Sequence, residues 1–229
     1  KLTSQFPSTT APHVTTLHTG LPVNEHGIFE WFYYDPKVDD MIAPLLFSFA
    51  GQKNRDGLES ANINPEEIYP TGMFYSRLAE KDIRSFIYQS CSYAFSTYSR
   101  AMCTDATVHP FQSYVEGLQK LLYDITRQPQ KTYHLFYFDG IDETGHHFGP
   151  DSPECEAMIT AFFSSLDKIF SSATPNVFDN VLLLIIADHG QVPISPENTI
   201  YLNEHIPNIT EWIRTNKSRK LLVPGGSCR

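Results

Sequence analysis

Residues 181–191 read V-L-L-L-I-I-A-D-H-G-Q, and this stretch decides the predicted fold. Six apolar residues follow one another without alternation and end at Ala187. A continuous apolar run of this length, closed by turn residues, is typical of a strand buried on both faces of a sheet. Ligands of α/β sheets bind at the carboxyl ends of such strands. Asp188 and His189 stand at that end, and a carboxylate beside an imidazole suits zinc or a similar divalent ion, although an ordinary turn also favours Asp and Gly.

A second strand is predicted at residues 133–138, and the segment after it carries further ligand types. Residues 139–150 read D-G-I-D-E-T-G-H-H-F-G-P. The glycines and the proline predict a loop rather than a helix, so Asp142 and His146 need not share a helical face. Their separation of four residues around a glycine still allows both to converge on one ion, and a turn alone does not require so many acids and histidines. The rival ligands in the same loop are Asp139, Glu143 and His147.

Residues 152–170 predict a helix between these two strands, because apolar residues recur there every three or four positions. A strand, a helix and a second strand in succession form a parallel unit, so residues 133–138 and 181–187 are expected to be parallel, with both ligand loops at one edge. The other patterned segments are a strand over residues 84–89 and a helix over residues 111–127 that Pro110 opens. The predicted fold class is α/β, with a mostly parallel central sheet and helices on both faces.

The N-terminal segment carries a candidate nucleophile. Residues 6–20 read F-P-S-T-T-A-P-H-V-T-T-L-H-T-G. Pro12 suits the first turn of a short helix and Gly20 the position after its end, which places Thr9 or Thr10 at the N-cap. A cap hydroxyl normally pairs with free backbone amides. The same helix end can bind phosphate, and a hydroxyl there can attack phosphorus if a metal ion lowers its pKa.

The composition limits the classes of function that this protein can have. The chain has 229 residues, of which 41% are hydrophobic and 19% charged, as in globular proteins with a sizeable core. A formal net charge of −9 without a basic stripe argues against binding of nucleic-acid polymers. No stretch reaches the roughly 18 apolar residues that a membrane span needs. Residues 37–80 are poorly patterned, which predicts a lid or insertion within about residues 37–130.

Three segments together resemble a known family. Residues 6–27 look like its nucleophile motif F-P-[TS]-x-T-x-P…T-G-L-x-P-x-x-H-G-I, residues 141–150 like D-x-x-G-H-x-x-G-P, and residues 187–190 like A-D-H-G. In this order they resemble the type I phosphodiesterase/nucleotide pyrophosphatase branch of the alkaline phosphatase superfamily. Each motif is weak alone, but three in the right order across most of the chain are a strong signal.

The resemblance implies a role for each matching residue. Thr10 matches the threonine that attacks phosphorus, forms a covalent phosphoenzyme and also contacts metal. Asp142 and His146 match ligands of one divalent ion, and Asp188 and His189 match ligands of the other. Zinc is favoured over manganese by the histidines in both pairs. The implied fold is alkaline-phosphatase-like, and the implied activity is metal-dependent hydrolysis of a small-molecule phosphate ester.

The sequence also departs from the family pattern. The resemblance places a further Asp ligand before Lys1 and a further His ligand after Arg229, so we expect residues 1–229 to be a single incomplete catalytic domain with impaired turnover on its own. The Asn that holds a phosphoryl oxygen in nucleotide pyrophosphatases falls at Trp31, so another diester or a monoester fits the sequence as well as a nucleotide does. The alternatives are a non-catalytic binding relative of the same fold, a phosphomonoesterase, a phosphonate hydrolase or a phosphoryl-group transferase.

Overall fold

A computed structural model describes residues 3–128, 130–174 and 176–223. The chain divides into two compact units. The first comprises the described parts of Lys1–Thr16, Leu21–Pro70 and Asp188–Arg229, and the second comprises those of Leu17–Gly20 and Thr71–Ala187.

The α-helices and strands follow in chain order. The helices are α1 (Thr10–Thr19), α2 (Val23–His26), α3 (Pro65–Ile68), α4 (Phe74–Ala79), α5 (Thr97–Met102), α6 (Tyr114–Arg127), α7 (Gly140–Phe148), α8 (Pro153–Ser171) and α9 (Leu202–His205). The strands are β1 (Tyr33–Asp35), β2 (Asp40–Ala43), β3 (Ser48–Phe49), β4 (Arg84–Ser90), β5 (Ala106–Phe111) and β6 (Thr132–Phe136). Short 3-10 turns occupy Pro44–Leu46, Glu59–Ala61, Pro196–Asn198 and Ile209–Glu211.

The second unit is built on a parallel sheet with the order β5-β4-β6. In the register, Tyr88 of β4 stands between His109 of β5 and Phe136 of β6. The chain runs from β4 to β5 and then returns past β4 to β6, so each connection crosses over through helices, as parallel pairing requires. The predicted fold class, α/β with a parallel sheet and helices, is confirmed.

The core of this unit forms where α6 and α8 pack on the sheet. Seven buried apolar residues make up the cluster: Phe86, Tyr88, Phe111, Leu118, Leu121, Leu122 and Ile169. Burying side chains of this size contributes roughly 1.5–3 kcal/mol each before the entropy cost of ordering them. This cluster therefore holds both helices against β4.

A buried carboxylate lies beside the apolar cluster and is fully paired. Asp124 of α6 is 4% exposed and accepts hydrogen bonds from the Tyr88 hydroxyl, at 2.8 Å, and from the Lys120 ammonium. The His109 Nε2 atom lies 3.3 Å from the same carboxylate. Because a buried charge is costly unless it is paired, these partners make Asp124 a cross-link between α6 and the sheet.

The predicted helix over residues 111–127 begins later than expected. Pro110 lies inside β5 rather than opening a helix, and α6 starts at Tyr114, where the Ser113 hydroxyl accepts the Glu116 amide at 3.3 Å. Proline lacks an amide hydrogen and is tolerated on edge strands, and β5 is an edge of this sheet. The helix predicted over residues 152–170 is confirmed as α8, with Ser152 capping the Cys155 amide at 3.1 Å.

The loop predicted after residues 133–138 is wrong, because Gly140–Phe148 is the helix α7. Its first turn holds two acids and its last turn two histidines, which complement the partial charges at the two helix ends. Gly149, with φ +97° and ψ 148°, ends the helix in a conformation open mainly to glycine. The two glycines inside the segment mark a weak helix former rather than a loop.

The buried strand predicted over residues 181–187 is also not found. No strand is formed there, and Leu182 and Leu184 are 81% and 71% exposed. The predicted parallel pairing with residues 133–138 is therefore absent from the described part of the chain. A branched apolar run favours extended backbone, but a strand is completed only by hydrogen bonds to a neighbour, which this run does not itself specify.

The first unit contains a small antiparallel sheet with the order β1-β2-β3. Ile42 of β2 stands opposite Tyr33 of β1 and Phe49 of β3 and is fully buried. The Tyr69 hydroxyl donates to the Pro44 carbonyl at 2.6 Å and ties α3 to this hairpin. None of the helices in the described part of the chain has both the length and the apolar character of a membrane span.

Candidate active site

The first unit brings Thr10 and His189 together, although they are 179 residues apart in the sequence. The Thr10 Oγ1 atom lies 2.9 Å from the Nε2 atom of His189. The Nδ1 atom of the same ring lies 3.0 Å from the Gly190 carbonyl oxygen, which can only accept. Nδ1 therefore carries the proton in the neutral ring, and Nε2 presents a lone pair. It follows that the Thr10 hydroxyl donates to His189.

Asp188 adds a carboxylate next to the Thr10 hydroxyl and the His189 imidazole. One carboxylate oxygen accepts the His189 backbone amide at 3.1 Å, and the other lies 3.7 Å from His189 Nε2. Both side chains are largely buried, with 19% of Asp188 and 11% of His189 exposed. In the neutral ring, Nε2 and this carboxylate oxygen both present lone pairs, which repel each other. A cation between them would relieve that arrangement.

The second unit places the other predicted pair on α7. Asp142 and His146 are one helical turn apart, with Asp142 Oδ2 3.4 Å from His146 Nε2, and each side chain is 35% exposed. The helix therefore presents both groups on one face, which the predicted loop would not have ensured. Asp142 and His146 belong to the second unit, and Thr10, Asp188 and His189 belong to the first.

The rival ligands of the loop prediction lie elsewhere around α7. Glu143 and His147 line a cavity of about 320 Å³ together with Tyr114 and Phe138. Asp139 precedes the helix, and burial raises the pKa of its carboxyl, to which Glu143 and Asp142 add while a hydrogen bond from Tyr93 opposes the shift. Glu143 and His147 therefore line a cavity to which Asp142 and His146 do not contribute.

The donor sets of both pairs fit a divalent ion. With zinc–ligand distances near 2.0 Å, two ligands of a tetrahedral site are about 3.3 Å apart. The separations of 2.9 and 3.7 Å around His189 Nε2 and of 3.4 Å between Asp142 and His146 lie close to that value. Within residues 3–128, 130–174 and 176–223, no three His, Cys, Asp or Glu side chains converge as a metal cluster. Each pair alone is therefore a partial ligand set.

In the structure, His26, the histidine before Gly27 in residues 6–27, belongs to the scaffold. The Ile28 amide donates to His26 Nδ1 at 3.1 Å, so Nε2 carries the proton and donates to Thr16 Oγ1 at 3.0 Å. Thr16 also accepts from the Gln5 amide at 2.7 Å. Burial lowers the pKa of His26, which keeps the ring neutral in this network. His26 therefore fixes the turn after α1.

One buried residue near Thr10 was not identified from the sequence. His13 lies in the first turn of α1 and is 9% exposed, with its Nδ1 atom 2.7 Å from the Thr9 carbonyl oxygen. A histidine four residues after the residue that precedes a helix can reach back to that residue's carbonyl, and this spacing is the signal that could have identified it.

Comparison with known proteins was made by family and by individual relative. The chain matches the family model described as type I phosphodiesterase/nucleotide pyrophosphatase over residues 1–226. Human ectonucleotide pyrophosphatase/phosphodiesterase family member 5 is 26% identical over 220 residues, covering 90% of this chain and 41% of the relative. An uncharacterised pyrophosphatase/phosphodiesterase of Schizosaccharomyces pombe is 24% identical over 210 residues, covering 88% and 40%. The chain thus spans about two-fifths of the length of these relatives.

Solved structures show the same fold. Murine ectonucleotide pyrophosphatase/phosphodiesterase 5 superposes with a TM-score of 0.52 at 20% identity, over 75% of this chain and 42% of the murine one. An inactive threonine-to-alanine variant of the murine protein in complex with AMP superposes equally well, at 19% identity. The family model covers nearly the whole chain, and the fold agrees. This chain belongs to the type I phosphodiesterase/nucleotide pyrophosphatase family.

Proposed function

We propose that this chain carries catalytic residues of a metal-dependent phosphoric ester hydrolase in which Thr10 is the nucleophile. The observation that supports it most is the 2.9 Å hydrogen bond from the Thr10 hydroxyl to His189 Nε2, with the Asp188 carboxylate beside it. A threonine hydroxyl is a weak nucleophile unless an adjacent group or a metal ion favours loss of its proton. Thr10 has such a partner at the first residue of a helix, where amides and the helix dipole favour an anion.

The reaction proceeds in two displacements. Thr10 Oγ1 forms a bond to phosphorus while the bond from phosphorus to the leaving-group oxygen breaks, and the proton lost from Oγ1 passes through solvent to the leaving-group oxygen. Water then attacks the phosphothreonine, the bond from phosphorus to Oγ1 breaks, and a proton lost by that water returns to Thr10 Oγ1. Each step exchanges one phosphorus–oxygen bond for another, so the reaction needs no redox partner.

The proposal assigns one divalent ion to Asp188 and His189, with Thr10, and a second to Asp142 and His146. Zinc is favoured over manganese because each pair combines a carboxylate with an imidazole. When bound, the ions supply charge that lowers the pKa of the threonine hydroxyl and offsets the negative charge on the phosphoryl group. The His189 Nε2 lone pair can accept the Thr10 proton or bind a metal ion, but not both at once.

The substrate proposed is a small phosphodiester, either a nucleotide or another diester of similar size. The relatives named as pyrophosphatase/phosphodiesterases and the AMP complex of the murine protein support this class. The acidic chain argues against a polymeric nucleic acid. Trp31, which offers one indole donor where the resemblance places an amide, favours a phosphoryl contact unlike that of the nucleotide pyrophosphatases. The proposal retains a single incomplete domain over residues 1–229, with a lid or insertion within about residues 37–130.

The test is turnover of bis-p-nitrophenyl phosphate and p-nitrophenyl phosphate by the longest available form of the protein, with zinc added. We expect wild type to prefer the diester, and Thr10→Ala to lower kcat by about 10³-fold or more because the nucleophile is lost. Ser8→Ala is the matched control, since Ser8 is an exposed hydroxyl in the same segment. Equal activity of wild type and Thr10→Ala would reject the nucleophile, and preference for the monoester would reject the substrate class.

A further inference from the structure

The first turn of α1 contains a buried side chain that the proposed chemistry does not use. His13 is 9% exposed, and its Nδ1 atom lies 2.7 Å from the Thr9 carbonyl oxygen. A carbonyl oxygen only accepts hydrogen bonds, so Nδ1 carries the ring proton and donates it. This hydrogen bond joins the His13 side chain to the peptide group that links Thr9 to Thr10.

The other ring nitrogen has no comparable contact. His13 Nε2 is buried without a hydrogen-bond partner among the residues that the structure describes, and so is Oγ1 of Thr9. A buried polar atom left unpaired costs about 1–3 kcal/mol. An apolar side chain of similar shape would avoid that cost, so stability alone does not explain why a histidine occupies this site. The Nδ1 contact is what an apolar residue would lose.

The hydrogen bond from His13 lies at the peptide group that precedes Thr10, and this position links it to the Thr10 side chain. The Thr9 carbonyl belongs to the peptide plane whose nitrogen is that of Thr10, and Thr10 Oγ1 donates to His189 Nε2 at 2.9 Å. A short buried hydrogen bond to that carbonyl restricts rotation of the plane and hence the direction of the Thr10 side chain. In-line attack on phosphorus is sensitive to such direction, since a misplacement of about 1 Å can cost about 10²-fold in rate.

We infer that His13 is a positioning residue, which orients Thr10 through the hydrogen bond from its Nδ1 to the Thr9 carbonyl. The inference rests on the proposed function of Thr10 and adds a residue that acts through the backbone. His13 contacts neither the substrate nor the reacting atoms in this assignment.

Three substitutions separate the two ring nitrogens. Asn places an amide NH₂ at the position of Nδ1, Gln places it one bond farther away near Nε2, and Leu has similar size and no donor. We expect His13→Leu and His13→Gln to lower kcat by about 10-fold to 100-fold with KM within about twofold of wild type. We expect His13→Asn to restore kcat to within about threefold of wild type.

Each contrary result has a definite meaning. Wild-type kcat in His13→Leu would overturn the inference, because neither nitrogen would then matter. Rescue by Gln but not by Asn would assign the effect to Nε2 and also overturn it. A raised KM with unchanged kcat would make His13 a binding residue instead. Thermal unfolding of each variant identifies any that lose the fold, and these are excluded from the comparison of rates.

A second readout does not need turnover. In protein labelled at threonine methyl groups and at imidazole nitrogens, we expect NMR to find His13 protonated at Nδ1 and the Thr10 methyl group rigid in wild type and His13→Asn. In His13→Leu the Thr10 methyl should lose order. A rigid Thr10 methyl in His13→Leu, or a ring protonated only at Nε2, would overturn the positioning role. An inactive wild type would reject the proposed function while this readout still tests His13.

Discussion

At the scale of single residues, histidines in this chain are informative because their hydrogen bonds reveal which nitrogen carries the proton. In His189 and His13, Nδ1 lies next to a carbonyl oxygen and therefore carries the N–H of the neutral ring. In His26, Nδ1 accepts a hydrogen bond from a backbone amide instead. The first two therefore present lone pairs at Nε2, and the third presents a donor there. Histidines within the matched motifs thus take different chemical roles.

The burial of His18 predicts how the free energy of unfolding changes with pH. It is 4% exposed, shares a 2.7 Å hydrogen bond with the Tyr75 hydroxyl, and burial lowers its pKa to about 4. Its unfolded pKa is near 6.5, so the unfolded state binds a proton first as the pH falls. We expect the free energy of unfolding to fall by about 3 kcal/mol between about pH 7 and pH 4 from this residue alone, as measured by urea unfolding.

The control for this prediction removes the titrating group. His18→Asn should flatten the dependence of the unfolding free energy on pH, whatever its effect on stability at pH 7. A residual slope of the same sign should remain, because burial also lowers the pKa of His134 to about 4. His205→Asn should leave the slope unchanged, since that side chain is exposed. An unchanged slope in His18→Asn would show that His18 titrates normally.

At the scale of secondary-structure elements, the approach of α6 to the sheet depends on a glycine. A Cβ atom at Gly117 would lie 2.5 Å from Cδ1 of Phe111 and 2.9 Å from Cε2 of Phe136. The two rings stack with their planes 9° apart and 5.3 Å between centroids. Because Phe111 is only 4% exposed, it has little room to move away from an added methyl group.

Gly117→Ala should therefore destabilise the protein. Overpacking costs about 1–3 kcal/mol, whereas replacing glycine by alanine within a helix gains up to about 1 kcal/mol, so we expect a net loss of about 1–2 kcal/mol. Urea unfolding at pH 7.5 measures it. Gln119→Ala, at an exposed position of the same helix, should change stability by less than about 0.5 kcal/mol. A gain of stability in Gly117→Ala would show that helix propensity outweighs packing here.

At the scale of the whole molecule, the candidate ligands are shared between two compact units. Asp188 and His189 belong to the unit that contains Thr10, and Asp142 and His146 belong to the unit built on the parallel sheet. Each pair supplies a carboxylate and an imidazole at separations suited to one ion. The proposed function assigns one ion to each pair.

Metal content tests this division. We expect the longest available form of the protein, dialysed after loading with zinc, to retain about two ions per chain by elemental analysis. Asp142→Asn and Asp188→Asn should each lose about one ion, because an amide oxygen is a much weaker ligand than a carboxylate. Glu143→Gln should retain both, since Glu143 faces the cavity beside α7. Loss of both ions in either Asp variant would indicate a single shared site.

The predictions from sequence that held were those carried by local signals. The apolar spacing of α8 and the proline and glycine near the ends of α1 act over about four residues, within the reach of a helical turn. The motif order identified the family, which residues 1–226 match. Local signals gave a wrong prediction at α7. The glycines there predict a loop, but the favourable charges at the helix ends stabilise a helix. Local signals also gave a wrong prediction at Pro110, because only the sheet order made β5 an edge strand.

The sequence by itself determined the family, the α/β class and the types of chemical group available at residues 10, 142, 146, 188 and 189. Only the tertiary structure decided that Thr10 donates to a histidine 179 residues away, that His13 holds the preceding peptide, and that residues 181–187 remain outside the sheet. The physical reason is that residue patterns specify local conformation and burial tendency. Pairing partners, and with them tautomers and donor directions, depend on contacts between segments that are far apart in the chain.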